Sequence, residues 1–121
     1  MPDSPKNLYK KLLGRKGELT AEGFLKKQGF KILEKNYRTK FGEADLIVSK
    51  NGALVFVEVK TRSSLKFGTP AQAVNYDKQR RYREIASYYT LIKGLNETET
   101  EISFAVVEIL GDSINLIENA F

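Results

Sequence analysis

The most informative segment of this sequence is residues 42–62, G-E-A-D-L-I-V-S-K-N-G-A-L-V-F-V-E-V-K-T-R. Two runs rich in β-branched and aromatic residues flank Asn51-Gly52, and this dipeptide between such runs is the strongest short-range signal for a β-hairpin. The segment therefore predicts two strands, at residues 43–49 and 53–60, joined by a tight turn.

The symmetry of this hairpin predicts which side chains meet. Asp45 is expected directly across from Glu58, and Glu43 directly across from Lys60. Side chains alternate between the two faces of a strand, so these four charged groups should project from one face. The opposite face is predicted to carry Ala44, Leu46, Val48, Val55, Val57 and Val59. Because both faces also carry apolar residues, the pair should be central in a sheet, with its charges at one end.

Two opposed acids are unfavourable without a cation. Carboxylates about 5 Å apart repel by roughly 3 kcal/mol at an effective dielectric constant of about 20. A divalent cation reverses this sign, which makes Asp45 and Glu58 candidate ligands for Mg²⁺ or Mn²⁺. Lys60 could then orient or polarise a metal-bound water, an arrangement suited to phosphodiester hydrolysis. The alternative is a structural ion pair of Lys60 with Glu43 or Glu58.

Outward from the hairpin, the sequence predicts an α/β protein in the order helix, three strands, helix, two strands, with helices against a sheet of about five strands. The first helix should begin at Ser4-Pro5, with Gly14 and Gly17 as points for a break or kink, and should end at Gly29. The other elements are a strand at 31–39, a helix from the Thr69-Pro70 capping box to about Lys93-Gly94, and strands at 102–110 and 113–117. The inner stripe of the second helix is predicted to be Ala71, Val74, Tyr82, Ile85, Tyr89 and Ile92.

Composition restricts the chemistry. The 121 residues include no His and no Cys, which excludes histidine-based nucleases, thiolate nucleophiles and Cys- or His-ligated metals. The net charge of +5 favours polyanionic partners, nucleic acid first. We expect one domain over residues 1–121, with 1–12 as an N-terminal extension. No signal peptide or membrane span is evident, so we expect a cytoplasmic protein.

Glu18 is a carboxylate in an unusual position. On a helical wheel it falls on a face of small and apolar residues, namely Gly14, Gly17, Ala21, Phe24 and Leu25. The small neighbours would let another element approach closely. The competing interpretation is a charge near a helix N-terminus, favoured by the helix dipole.

Asp45-Leu46-Ile47, the hairpin and V-F-V-E-V-K-T-R (55–62) together resemble the D…(D/E)-x-K core of the PD-(D/E)XK nuclease superfamily. More closely, the chain resembles the YraN-like family of small bacterial proteins over roughly residues 12–110. The shared blocks are G-x-x-G-E (14–18), G-E-x-D-L-I (42–47), V-F-V-E-V-K-x-R (55–62) and F-G-x-P (67–70).

The resemblance implies a restriction-endonuclease-like, three-layer α/β core and a metal-dependent nuclease. It implies that Asp45 and Glu58 hold the metal, that Lys60 assists the attacking water and that Glu18 completes the site; the role of Glu43 stays open. One departure is that related sequences tend to read R-F-D-V-V in the last long strand, where this chain has S-F-A-V-V with Ala105.

Several basic residues are candidate nucleic-acid contacts. The main ones are Arg38, Arg62, Lys78 and Arg81; the last two should reach around the sheet end toward the site. Tyr37 and Tyr82 are candidate stacking groups. Further candidate phosphate contacts are Lys40, Lys66, Arg80 and Arg83, although an exposed, solvated face is the favoured interpretation for the last two.

The leading hypothesis is a nuclease that cleaves DNA and selects structure rather than sequence, for which a homodimer would suit the cutting of two strands. The alternatives are a nucleic-acid-binding module that has lost catalysis, supported by Ala105, and a scaffold subunit whose basic face docks an acidic protein.

Overall fold

The protein is an α/β structure whose element order matches the prediction. A computed structural model describes residues 5–62 and 74–121, and these ranges contain two helices and five strands. They are α1 (Pro5–Lys27), β1 (Lys31–Thr39), β2 (Gly42–Lys50), β3 (Ala53–Arg62), α2 (Tyr76–Ile92), β4 (Ile102–Leu110) and β5 (Ser113–Ile117).

The strands form one mixed sheet in the order β1-β2-β3-β4-β5. Neighbouring strands are antiparallel except for β3 and β4, which are parallel and are connected through α2. Apolar side chains of α1 pack on one face of the sheet with Val48 and Val57, and those of α2 pack on the other with Ile47 and Phe56. The predicted three-layer core is therefore confirmed. Neither helix of the described ranges has the length and apolar character needed to cross a bilayer.

The central hairpin has the predicted register over most of its length. Asn51 and Gly52 both have positive φ angles, 53° and 82°, as a two-residue turn of the hairpin type requires. The pairing runs from Lys50 opposite Ala53 to Leu46 opposite Val57.

Beyond Leu46 and Val57 the two strands depart from a regular ladder. The Val59 N–H donates to the side-chain Oδ2 of Asp45 at 2.7 Å, so this carboxylate takes the place of a backbone acceptor. Ala44 packs on the α2 face while Leu46 packs on the α1 face, so the prediction that they share a face is wrong. The strand changes face at Asp45 because the regular pairing has already ended.

Helix α1 lies unusually close to the end of β3. It runs through Gly14 and Gly17 as one helix, so the predicted break there is wrong. A Cβ on Gly17 would collide with Thr61 Oγ1, which means that the absent side chain allows this contact. The close approach predicted from the small residues is therefore confirmed, and it brings Glu18, the next residue, to the end of the sheet.

Helix α2 begins later than predicted. Asn75 is extended (φ −74°, ψ 170°) and its side chain accepts the Lys78 N–H at 2.9 Å, so Asn75 caps a helix that starts at Tyr76. An uninterrupted helix from Pro70 is therefore wrong; the Thr69-Pro70 capping box lies outside the described residues. The helix ends at Ile92, with Lys93 as its cap, close to the predicted end.

The predicted inner stripe of α2 is correct in its central part. Tyr82, Ile85 and Tyr89 are buried, and Val74 is buried just before the helix begins. Ile92 is 57% exposed, so its inclusion is wrong, and Ala71 lies outside the described residues.

Candidate active site

A pocket of about 340 Å³ lies at the end of the sheet where β2 and β3 separate. Its lining comes from α1 and from both strands of the hairpin: Gly14, Glu18, Asp45, Glu58, Val59, Lys60 and Thr61. The structure thus brings the four residues that the sequence put forward as catalytic, Glu18, Asp45, Glu58 and Lys60, to one pocket.

Asp45 is half-buried in this pocket and carries an unusual carboxyl group. Its Oδ2 accepts the Val59 N–H, and its own N–H donates to the Tyr82 hydroxyl at 3.4 Å. Burial, and after it the charge of Glu58, raises the pKa of the Asp45 carboxyl to about 7. The hydrogen bond from Val59 acts in the opposite direction without cancelling these effects. The site therefore disfavours a second anion beside Glu58.

Glu58 is 4% exposed and is held by side chains of α2. Its Oε1 lies 2.6 Å from the ammonium of Lys78, and its Oε2 accepts the Tyr82 hydroxyl at 2.6 Å. Lys60 Nζ lies 3.7 Å from the same Oε1, and the Lys60 side chain is 26% exposed and lines the pocket. Such charge-assisted contacts are among the stronger hydrogen bonds in proteins. They fix the orientation of the Glu58 carboxylate.

Tyr82 joins the two acids, a role that the sequence interpretation missed. The residue was predicted as part of an apolar stripe and as a stacking group, but it is 1% exposed and its hydroxyl contacts both Asp45 N and Glu58 Oε2. Burial, and after it the charge of Glu58, raises the pKa of this hydroxyl far above its usual value, so it remains a donor. A tyrosine on the inner face of a helix was the available signal, because buried tyrosine hydroxyls usually have a partner.

Removal of this hydroxyl has a predicted cost. The Tyr82→Phe protein should be about 1–3 kcal/mol less stable than the wild type in EDTA, because one oxygen of the buried Glu58 carboxylate loses its donor. Urea unfolding followed by circular dichroism measures the difference. Tyr89→Phe is the matched control, since Tyr89 is equally buried on the same helix and makes ring contacts with Tyr37 and Phe56. Equal effects of the two changes would contradict the assigned role.

A second group of polar side chains links Glu18 to Glu43. With its amide nitrogen facing the carboxylates, Asn36 donates to both oxygens of Glu18 (3.0 and 3.2 Å) and to Glu43 Oε1 (3.1 Å). Asn36 has a positive φ of 50° within β1, a conformation that asparagine tolerates better than most residues. Burial is the main cause that raises the pKa of Glu18, with smaller contributions from the charges of Glu43 and Glu58.

Glu43 does not have the partner that the symmetric hairpin suggested. Its Oε2 lies 3.5 Å from Arg38 Nε on β1, and the two residues are opposite each other in the β1–β2 ladder. The predicted position across from Lys60 is therefore wrong, since the regular pairing of β2 with β3 ends at Leu46 and Val57, before it reaches Glu43.

The predicted nucleic-acid contacts fall into two groups. Lys78 reaches the site, as predicted, but it contacts Glu58 directly. Arg38 and Arg81 are exposed at the same end of the sheet, where Arg81 lies against Gly42 at the start of β2. Arg62 is half-buried at the end of β3. Of the three arginines, Arg62 lies on a strand that lines the pocket, whereas Arg38 and Arg81 lie on β1 and α2.

The residues of the pocket fit a small hard cation. Within residues 5–62 and 74–121, no three acidic side chains are close enough to hold a metal ion together. Mg²⁺, however, is commonly bound by only one or two carboxylates, with several waters as its other ligands. Asp45 and Glu58 can supply the two carboxylates. Burial, and after it the charge of Glu58, raises the pKa of Asp45 and so disfavours its ionised form, and a cation bound beside it would offset both effects. Glu108, paired with Lys60 across the parallel ladder, also has a buried Oε1 without a hydrogen-bond partner in the described ranges.

Ala105 is not among the residues that line this pocket. It is fully buried with Leu25 and Val57 on the α1 side and lines a separate cavity of about 290 Å³. The alanine at this position therefore removes no lining residue of the pocket that contains Asp45 and Glu58.

These features define an α/β protein with two carboxylates and a lysine at the diverging end of a central hairpin. A sequence profile of Uncharacterised protein family UPF0102 matches residues 17–109, and the chain belongs to this family, which confirms the resemblance to the YraN-like proteins. The match includes Glu18, Asp45, Glu58 and Lys60.

Relatives of similar length support this membership. A UPF0102 protein of Alkaliphilus oremlandii is 45% identical over 115 residues, which cover 92% of this chain and 98% of the relative. A UPF0102 protein of Lachnoclostridium phytofermentans is 45% identical over 114 residues (94% and 96%). One from Caldicellulosiruptor saccharolyticus is 43% identical over 120 residues (94% and 100%).

Proposed function

We propose that this protein is a metal-dependent nuclease that hydrolyses phosphodiester bonds in DNA, on a fold of the PD-(D/E)XK type. The observation that carries the proposal is the convergence of Asp45, Glu58 and Lys60 on one pocket, with Lys60 Nζ 3.7 Å from Glu58 Oε1. Carboxylates for a hard cation and an ammonium beside them are the parts that this hydrolysis needs in a chain without histidine.

Each side chain has a distinct role in this mechanism. Asp45 and Glu58 would hold Mg²⁺ or Mn²⁺, which when bound polarises a phosphoryl oxygen and activates water. Lys60 orients the attacking water or stabilises the negative charge that develops on the phosphate. Glu18, at the α1 side of the pocket, serves as the auxiliary acid. Tyr82 and Lys78 keep the Glu58 carboxylate in place.

The surroundings of the pocket suit a polyanionic substrate. Arg38 and Arg81 are exposed near Glu43 and Gly42 at the start of β2, and the chain carries a net charge of +5. Contacts between arginine and the phosphate backbone position the DNA but do not distinguish one base from another. We therefore expect the protein to recognise the shape of DNA and to bind it with a strong dependence on salt concentration. A homodimer would allow two such pockets to act on two strands.

The test is a cleavage assay on single-stranded, duplex, flapped and branched DNA with Mn²⁺ or Mg²⁺. The wild-type protein should cut at least one of these forms, EDTA should stop the reaction, and Glu58→Ala should abolish it. Glu99→Ala is the control, because Glu99 is exposed in the loop between α2 and β4. If the wild-type protein neither cuts any of these DNA forms nor binds Mn²⁺, the proposed nuclease function is refuted.

One observation favours a second function, a nucleic-acid-binding module without catalysis. The Lys78 ammonium, 2.6 Å from Glu58, already balances the charge of this buried acid without a metal. Binding of DNA without cleavage or metal binding would support this alternative, whereas no binding even at low salt would point to the scaffold.

A further inference from the structure

A second pocket, of about 570 Å³, runs along the outer side of α2 beside the turn between β1 and β2. We call it the α2 groove. Cationic side chains and apolar or aromatic side chains line it, among them Lys40, Phe41, Arg80, Arg83, Tyr88 and Leu91. From the sequence, Lys40 and the two arginines are candidate phosphate contacts, with an exposed, solvated face as the competing interpretation for Arg80 and Arg83.

The aromatic rings of the groove are held in place and open to solvent. Phe41 and Tyr88 are half-buried and contact each other edge to face, with ring centroids 6.2 Å apart. The Lys40 ammonium lies 5.2 Å from the centre of the Phe41 ring. Leu91 is 76% exposed at the edge of the groove, a large exposure for a leucine. A planar ligand could cover this apolar surface.

The charge of the groove is mainly positive. Lys40, Arg80 and Arg83 are exposed, while Glu84 is the half-buried acid in the lining. Arg80 also lies 3.9 Å from Asp77, a separation that leaves most of its donors available. Planar apolar surface combined with cations matches a nucleotide, whose base stacks on aromatic rings and whose phosphate binds lysine and arginine.

The groove and the candidate active site are built on the same two segments. Phe41 precedes β2, and Asp45 follows four residues later, which is about 13 Å along an extended strand. On α2, Lys78 contacts Glu58 of the candidate active site. Arg80, two residues further along the same helix, lines the groove. A strand whose phosphate lies at the pocket would reach the groove within a few nucleotides.

We infer that the α2 groove binds unpaired nucleotides of a single-stranded nucleic acid, with bases stacked on Tyr88 and Phe41 and phosphates at Lys40, Arg80 and Arg83. The inference rests on the proposed function only for the position of the cleaved strand. It assigns the substrate class as one with a single-stranded segment next to the cleaved bond.

The stacking contact is tested by binding in EDTA, where metal-dependent cleavage does not occur. Fluorescence anisotropy compares a labelled oligothymidylate with an abasic oligomer of the same length. Tyr88→Leu should weaken binding of the oligothymidylate about 5- to 100-fold and leave the abasic oligomer nearly unchanged, because only the bases lose a stacking partner. Tyr88→Phe keeps the ring and should bind both oligomers as the wild type does.

The phosphate contact is tested by a charge reversal. Arg83→Glu should weaken binding of both oligomers and reduce the salt dependence, since phosphates are common to both. Lys27→Glu makes the same change at an exposed residue of α1 and should have little effect. Circular dichroism of every variant confirms that it is folded.

The outcomes separate this inference from the nuclease. The groove inference would be overturned if Tyr88→Leu and Arg83→Glu bound the oligomers as tightly as the wild type does, or if the wild type bound neither oligomer at low salt. An acidic peptide would then be the better ligand. If the wild type cuts DNA and the variants bind as the wild type does, the groove inference is wrong and the nuclease proposal stands. If the variants bind more weakly but the wild type does not cut, the groove inference is supported and the nuclease proposal is wrong.

Discussion

The Asp45→Asn protein is expected to be about 2–4 kcal/mol more stable than the wild type at about pH 8 without divalent metal, although it should be inactive as a nuclease. Burial and the neighbouring Glu58 raise the pKa of Asp45 to about 7 in the folded protein, whereas the unfolded chain has the usual value near 4. Between about pH 4 and about pH 7 the Asp45 carboxyl is ionised in the unfolded chain but protonated in the folded protein. The stability that the protonated Asp45 provides is therefore fully present below about pH 4 and is lost as the pH rises through about 7.

Thermal unfolding in EDTA across this pH range measures the effect, and the difference between the two proteins should vanish near pH 4. Mn²⁺ at about 1,000 times its Kd should reverse the order, since a ligand at that concentration adds roughly 4.1 kcal/mol to the protein that binds it. Asp112→Asn is the control, because Asp112 is exposed in the β4–β5 turn. An Asp45→Asn protein that is less stable than the wild type at every pH would show that the carboxylate is structural.

Replacement of the two lysines near Glu58 should give opposite results. Lys60→Met is expected to slow cleavage by about 100- to 10,000-fold with little change in stability, because Lys60 lies farther from Glu58 and faces the pocket. Lys78→Met should lower the free energy of unfolding by about 1–3 kcal/mol in EDTA, because it removes the closest cation from a buried carboxylate.

Single-turnover cleavage and urea unfolding measure these two effects on the same protein samples. Mn²⁺ should restore much of the stability lost in Lys78→Met, since the metal also balances Glu58. If Lys78→Met loses cleavage while Lys60→Met retains it, the catalytic lysine is Lys78 and the roles assigned above must be exchanged.

Local rules explain why the hairpin could be predicted from the sequence. Asn51-Gly52 adopts positive φ angles at low cost, and a two-residue turn leaves one register for the strands that follow it. The order of the elements also followed from periodicity and turn residues. Asp45, Glu58 and Lys60 could therefore be placed near one another before the structure was known.

The rest of the site depends on contacts between distant segments. Tyr82 and Lys78 reach Glu58 only because α2 packs against the sheet, and α2 is capped by Asn75 and begins at Tyr76 rather than at the more conspicuous Thr69-Pro70. Asn36 gave a weak signal as an asparagine within a strand. The change of face at Asp45 left no local trace, because it occurs where the regular ladder between β2 and β3 ends and the Asp45 side chain accepts the Val59 N–H.

The absent side chain of Gly17 sets the distance between the first helix and the third strand. Thr61 already occupies the space that a methyl group would need, so this contact works as a spacer of atomic dimensions. A larger residue would act as a wedge and push Glu18 away from the two acids on the sheet. The chemistry of the pocket thus depends on a position that contributes no functional group, where tolerance to substitution is governed by volume alone.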